Sequence, residues 1–329
     1  MNIQPVVDKM LHTVETHRLA EGVYCRWLWQ DAQGTRQLGA NEYGCADAAN
    51  ILYTLGHFPR DPESRKCWVS ALQNMQNPQT GLFTEATHHT IHTTAHCTAA
   101  LELFDAQPLH PLRGLEKYMT QDGMHELLSS LDWEHQPWPQ SHQGAGLYAA
   151  AVITGMADAQ WRKNYFAWLN DRADPVTGLG LKDRRGDAPL AHQLYGWFHY
   201  FFNHEHAHQP IPYPEKIIDS CIDLYVNDRL SPVFAQEVGF MEIDWVFAMS
   251  RASRQTAHRF DEVKELLWHM AQRFLPWLMS LDENTHDMFN DLHMLFGAVC
   301  AAAELQLALP GLIRTDVPLK NVLDRRPFI

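Results

Sequence analysis

Two stretches of the chain share one turn. MQNPQTGLFTEATHHTIHTTAHCTAALELFDAQP spans residues 75–108, and LNDRADPVTGLGLKDRRGDAPLAHQLYGWFHYFFNHEHAHQP spans 169–210. Each carries Asn/Asp-Pro-x-Thr-Gly-Leu, at residues 77–82 and 174–179. In each, a polar loop follows, then a helical pattern rich in Ala and aromatics, then a turn ending in Pro. Repetition constrains a fold strongly, because each unit can bury its apolar face only against its neighbours. Four weaker copies fit the same template. With Asp31, Asn77, Asp132, Asp174, Asp228 and Asp282 as markers, the intervals are 46, 55, 42, 54 and 54 residues.

The segments between the turns also read as helices. Residues 10–19, 65–74, 112–131, 159–169, 215–226 and 260–281 place apolar residues at helical spacing, and each precedes a marker. A second, more apolar set follows the markers, at 43–55, 90–104, 144–155, 191–202, 241–250 and 291–309. Almost no run alternates with the period of a strand. Pro276 is expected to interrupt the last helix of the first set. The expectation is an all-α chain, residues 1–329 forming one domain of six helical hairpins. Polar outer helices would surround apolar inner ones in an (α/α)6 toroid. An open helical solenoid is the other arrangement compatible with the pattern.

The six-hairpin pattern resembles the α/α toroid of six-hairpin glycosidases, polysaccharide lyases, sugar epimerases and terpenoid-cyclase or prenyltransferase-type proteins. The stretch from Asn77 through Phe83, together with TAHCTAALEL, is similar to a prenyltransferase-type repeat. The chain departs from that type in lacking a QxxDGxW repeat, a DxDD acid and the zinc-ligand set. In such rings the resemblance implies an active site at the end where the outer-to-inner loops enter the inner helices.

Those loops are loaded with chemistry. They carry Glu42, Tyr43 and Asp47; Glu85, His88, His89, His92 and His96; Asp132, Trp133, Glu134, His135, Trp138 and His142. The later ones carry Arg184, Arg185, Asp187 and His192; Glu237, Glu242, Asp244 and Trp245; and His286, Asp287, Asp291 and His293. Of 20 His in the chain, nine fall at this end, His88, His89, His92, His96, His135, His142, His192, His286 and His293. At about 100° per residue, His88, His92, His96 and His89 fall at about 0°, 40°, 80° and 100°, one helix face if the helix starts by Thr87.

Glycoside hydrolysis needs two carboxyl groups, one acid and one base or nucleophile. Asp244 and Asp291 are the first choice, with Glu42 and Glu242 next, because each lies near the start of an apolar helix where burial raises a pKa. A lyase or epimerase would instead use a histidine or tyrosine as base, with His92 foremost, and Arg184 or Arg185 beside a substrate carboxylate. His88, His89, Trp133, Trp138, His142, His192, Trp245 and His293 are expected to bind substrate. No cofactor is expected. Histidines at i and i+4 can bind zinc, but no carboxylate is evidently paired with His88, His92 and His96 and the Glu of HExxH is missing.

Composition narrows the partners. The net charge is −13, with 39 acidic and 26 basic residues, the wrong sign for a phosphate-backbone binder. No stretch reads as a signal peptide or a membrane span. Cys25, Cys45, Cys67, Cys97, Cys221 and Cys300 form no CxxC pair and read as buried free thiols of a cytoplasmic protein. HEHAH, residues 204–208, reads as a solvated loop, and the terminal DRRPFI as a docked tail or an oligomer contact. Together these features predict a carbohydrate-active enzyme, a hydrolase, lyase or epimerase taking a small-molecule or oligosaccharide substrate. The alternatives are terpenoid-type chemistry in a dry aromatic cavity, or a toroid that binds a ligand or protein without turning it over.

Overall fold

The computed structural model describes residues 1–237 and 239–329. Among them the chain is all-α apart from one short antiparallel pair, β1 (Arg18–Ala20) and β2 (Val23–Tyr24). The helices are α1 (Gln4–Thr16), α2 (Glu42–Thr54), α3 (Pro62–Gln73), α4 (Thr90–Leu103), α5 (Gln121–Ser130), α6 (Pro137–Ile153) and α7 (Ala159–Arg172). They continue with α8 (Leu190–His206), α9 (Pro214–Val226), α10 (Met241–Ala252), α11 (Phe260–Ser280), α12 (Leu292–Ala308) and α13 (Val322–Arg325). No described helix is long and apolar enough to cross a membrane.

The shared turn folds the same way in both strong copies. Asn77 Oδ1 accepts from the Gln79 and Thr80 amides at 2.9 and 3.0 Å, and Asp174 Oδ1 accepts from the Val176 amide at 2.9 Å. Both turns close with an amide of glycine bonded back to the marker carbonyl, Gly81 to Asn77 at 2.8 Å and Gly178 to Asp174 at 2.9 Å. Those glycines sit at φ 73° and 72°, a region costly for other residues.

Helices α2 to α12 with even numbers are buried nearly all round, as in α4 from Ile91 and throughout most of α12. By contrast, α3 buries Trp68 and Leu72 alone among its described residues. The even helices pack in succession: α2 on α4, α4 on α6, α6 on α8, α8 on α10, α10 on α12, and α12 on α2. Odd helices back them. α1 packs on α2 and α12, α3 on α2 and α4, α9 on α8 and α10, and α11 on α10 and α12.

Side-chain caps place several helix starts. Asn41 accepts from the Tyr43 and Gly44 amides, Asp158 from Trp161 and Asp291 from His293, relieving amides with no partner inside the helix. A Cβ at Gly44 would lie 2.5 Å from the Cys25 carbonyl carbon, so only glycine lets the strand strip lie against α2.

Four local expectations are corrected. The segment 112–131 is two elements, a 3-10 turn at Arg113–Tyr118 and then α5, because Thr120 caps a new start on the Gly123 amide. Helix α6 begins at Pro137, well before 144, since proline at the first turn needs no amide partner. Helix α11 runs on through Pro276. Helix α8 continues to His206, so HEHAH is partly helix. His204 is buried and bridges the Tyr200 carbonyl (2.8 Å) and Asn170 Oδ1 (3.1 Å). The cysteines are free, with Cys67 exposed and the other five buried.

The segment 322–329 is docked on the body. Helix α13 packs on α8 and α2. Arg251 donates to Glu304 at 2.7 and 2.8 Å and to Asp324 at 2.6 Å, with all of its side chain but 1 % buried. Arg326 is fully buried against Asn50 Oδ1, Asn203 donates to the Pro327 carbonyl at 3.0 Å, and Phe328 is fully buried.

Candidate active site

At the end where the loops enter the even helices lies a cavity of about 580 Å³. Its wall is assembled from distant parts of the sequence: Arg26, Thr87 and His88 from loops, and His92 from α4. His135 and Gln136 come from the approach to α6, and Trp138, Pro139 and His142 from α6 itself. His192 and His199 come from α8, Phe240 from the turn before α10, and His293 and Met294 from α12. Ile329 reaches the same cavity from the docked segment, and Phe328 packs edge-on to His92 with ring centroids 4.9 Å apart.

The imidazoles form a connected array around Tyr43. Tyr43 stacks on His88 (4.5 Å) and His96 (4.9 Å), and its hydroxyl bonds His92 Nδ1. His92 meets His142 edge-on at 4.5 Å, and His142 meets His199 at 6.2 Å. Ser141 Oγ lies 2.9 Å from His199 Nδ1 and fixes that ring. Asp47 pairs with two rings, His96 Nε2 at 2.7 Å and His293 Nδ1 at 3.2 Å.

Charge is largely absent from this wall. Burial pushes His92 and His142 well below the ordinary imidazole range, and the neighbouring rings push them further. Burial lowers His199 to about 4, and His293 to about 4 in spite of Asp47. Burial would raise Asp47, but His293 and His96 together hold its carboxyl below the ordinary range. Arg26 is the cationic side chain on the wall, and Asp291 balances it with two contacts of 2.9 and 3.0 Å.

The preferred carboxylates do not meet in the cavity. Asp291 is held by Arg26, by Trp27 Nε1 at 2.9 Å and by its cap on α12, which occupies its oxygens. Asp244 is buried without a hydrogen-bond partner, and burial, helped by Glu242, drives its carboxyl well above the ordinary range. Glu242 accepts from the Ala235 amide at 2.9 Å, and burial raises it to about 7. Glu42 is half-buried in the first turn of α2, and burial raises it also. Glu42, Glu242, Asp244 and Asp291 all lie off the described wall.

Of the expected binding residues, His88, Trp138, His142, His192 and His293 line the cavity beside His92. His89 does not. Helix α4 starts at Thr90, later than the shared face requires, and His89 caps it on the Ile91 amide. Trp133 donates to the Leu128 carbonyl and packs among Trp168, Trp197 and Tyr200. Trp245 donates to the Cys221 carbonyl, and Arg184 bonds the Leu179 carbonyl in its own loop.

His199, Arg26 and Ile329 were absent from the sequence expectation. His199 follows His192 by seven residues, so the two share a helix face, a signal present in the sequence. Nothing local in the sequence marks Ile329. Family models, curated proteins and solved structures give no match to the chain.

Proposed function

We propose that the chain is an (α/α)6 toroid enzyme that moves a proton at a carbon centre of a small sugar-type substrate, as an epimerase or lyase. The succession of even helices from α2 round to α12 and back to α2 supports the ring. One observation carries the chemistry: four imidazoles, His92, His142, His199 and His293, converge on one cavity from four helices, and burial lowers the pKa of each. Among the described residues no facing pair of carboxyl groups lines that cavity, which tells against the hydrolase version.

An uncharged imidazole accepts a proton, and its ring hydrogen-bonds hydroxyls on either edge. Trp138 supplies an aromatic face of the kind sugar rings stack on. The substrate class this wall suits best carries a carboxylate or forms an enolate. Entry of that anion raises every imidazole facing it toward the operating pH, where general-base catalysis is most efficient. In the step itself one imidazole takes the proton from carbon and the electron pair moves to the adjacent carbonyl or carboxylate. A proton then returns to the opposite face, or a β-oxygen leaves.

The test is incubation of the full chain in D2O with a panel of aldoses, uronates and their oligomers, read by NMR. Deuterium incorporation or a new double bond is the expected result. His92→Ala and His142→Ala are expected to lower it by roughly 100-fold or more, the usual scale of general acid–base catalysis. Release of reducing ends without C–H exchange would overturn the reading.

A further inference from the structure

Asp47, His96 and His293 come from α2, α4 and α12, separated by 49 and 246 residues, and their donor atoms all lie within 4.8 Å of one another. The side chains of Asp47 and His96 are fully buried and that of His293 is 6 % exposed. Among the described residues no Lys or Arg forms an ion pair with Asp47. Arg26, on the same wall, commits its guanidinium to Asp291 and Thr87. Asp47 Oδ2 and His96 Nδ1 have no aligned hydrogen-bond partner. A carboxylate so placed is expensive unless a cation shares it.

We propose that Asp47, His96 and His293 bind a single divalent transition-metal ion of the zinc class at the wall of the histidine cavity. Two imidazole nitrogens and one carboxylate oxygen are a donor set that suits Zn²⁺, Fe²⁺ or Co²⁺, whereas Mg²⁺ and Ca²⁺ prefer oxygen alone. Catalytic sites of this kind use three protein ligands and leave a position for water or substrate. His293 lies on the cavity wall, so an ion and its water can reach the cluster from there. The site goes beyond the proton-transfer reading and does not depend on it, since occupancy is read with no substrate present.

The experiment titrates the chelator-treated full chain with Co²⁺ alone, followed by visible d–d absorption, then displaces it with Zn²⁺. One equivalent is expected. His293→Gln and Asp47→Asn each remove a direct ligand, so each should exceed the roughly 10–100-fold loss that an outer partner costs. His142→Gln lines the cavity without touching Asp47 and should keep one equivalent. Circular dichroism checks folding. If Asp47→Asn fails to fold, His293→Gln, at the cavity edge, carries the test. The proposal is overturned if the wild-type chain takes up no equivalent, if the folded His293 variant binds as tightly as wild type, or if His142→Gln loses the ion equally.

Discussion

The two ends of the helical bundle solve the problem of buried polarity in opposite ways. At the docked end, buried Arg251 keeps its charge and is neutralised by Glu304 and Asp324, while Arg326, equally buried, donates to Asn50 Oδ1. At the cavity end, the polar groups are mostly imidazoles whose pKa burial lowers; they bond hydroxyls and carbonyls and pack ring against ring. A charge network is rigid and specific to its partners. An uncharged polar wall stays available to a molecule that arrives later, and it titrates. The first end is built to stay closed and the second to respond.

The sharpest way to break the contrast is Arg251→Ala. It leaves the buried Glu304 without its bidentate partner and with Arg254 3.9 Å away, a loss of about 3–5 kcal/mol in urea unfolding. Replacing Arg251 and Glu304 together by Met should restore most of that stability, because the desolvation cost of both charges disappears. If the single variant costs under about 1 kcal/mol, the closed end is not held by this pair.

Phe328→Ala comes next. Removing this buried ring below His92 should cost about 3 kcal/mol and deepen the cavity without altering the cap and turn contacts of the loops. Thermal unfolding gives the cost, and hydrogen exchange on α4 shows where it falls.

The responsive end should reveal itself by pH. His199 is lowered from 6.5 to about 4, so its contribution is present above pH 6.5 and is lost as pH falls through 4, up to about 3 kcal/mol. His199→Gln should flatten that acid limb. Glu242 has the opposite sign. Raised from 4.5 to about 7, it stabilises below pH 4.5 and that contribution is lost as pH rises through 7. Glu242→Gln should therefore gain stability relative to wild type at pH 8 but not at pH 4. An unchanged acid slope in His199→Gln would mean that the cavity wall does not titrate with folding.

The smallest effect is a control. Arg36→Ala breaks the pair with Asp287, whose side chain is 64 % exposed, and should cost under about 1 kcal/mol.

Much of the architecture was legible because turns are local. The Asn77 and Asp174 turns need only neighbouring residues and a glycine at positive φ, and both form where the repeat places them. The even helices were legible from unbroken apolar content. The site was legible in part. Spacing along α4 marked His92 and His96, and both are buried with their rings against Tyr43. What spacing could not supply is distance across the bundle. Asp47 meets His293 across 246 residues, and no sequence period encodes that meeting. The preferred acids lie off the described wall for a related reason. Position near a helix start was read as proximity to the cavity, whereas Asp291 turns to Arg26 and Glu242 to the Ala235 amide. Helix boundaries differed where a cap or a proline intervened, as at Thr120 and Pro137.

The meeting of first and last helices also governs when the site exists. His17 bonds the Phe289 carbonyl across 272 residues, and Arg326 bonds Asn50 across 276. Contacts so remote in sequence form late, since a long loop must close before they return any energy. A chain emerging from synthesis can assemble α2 through α6, yet it holds half a pocket until α12 arrives. Until then the flank of α2 that α12 covers lacks its partner, so the cavity can close only after the last long helix has been made.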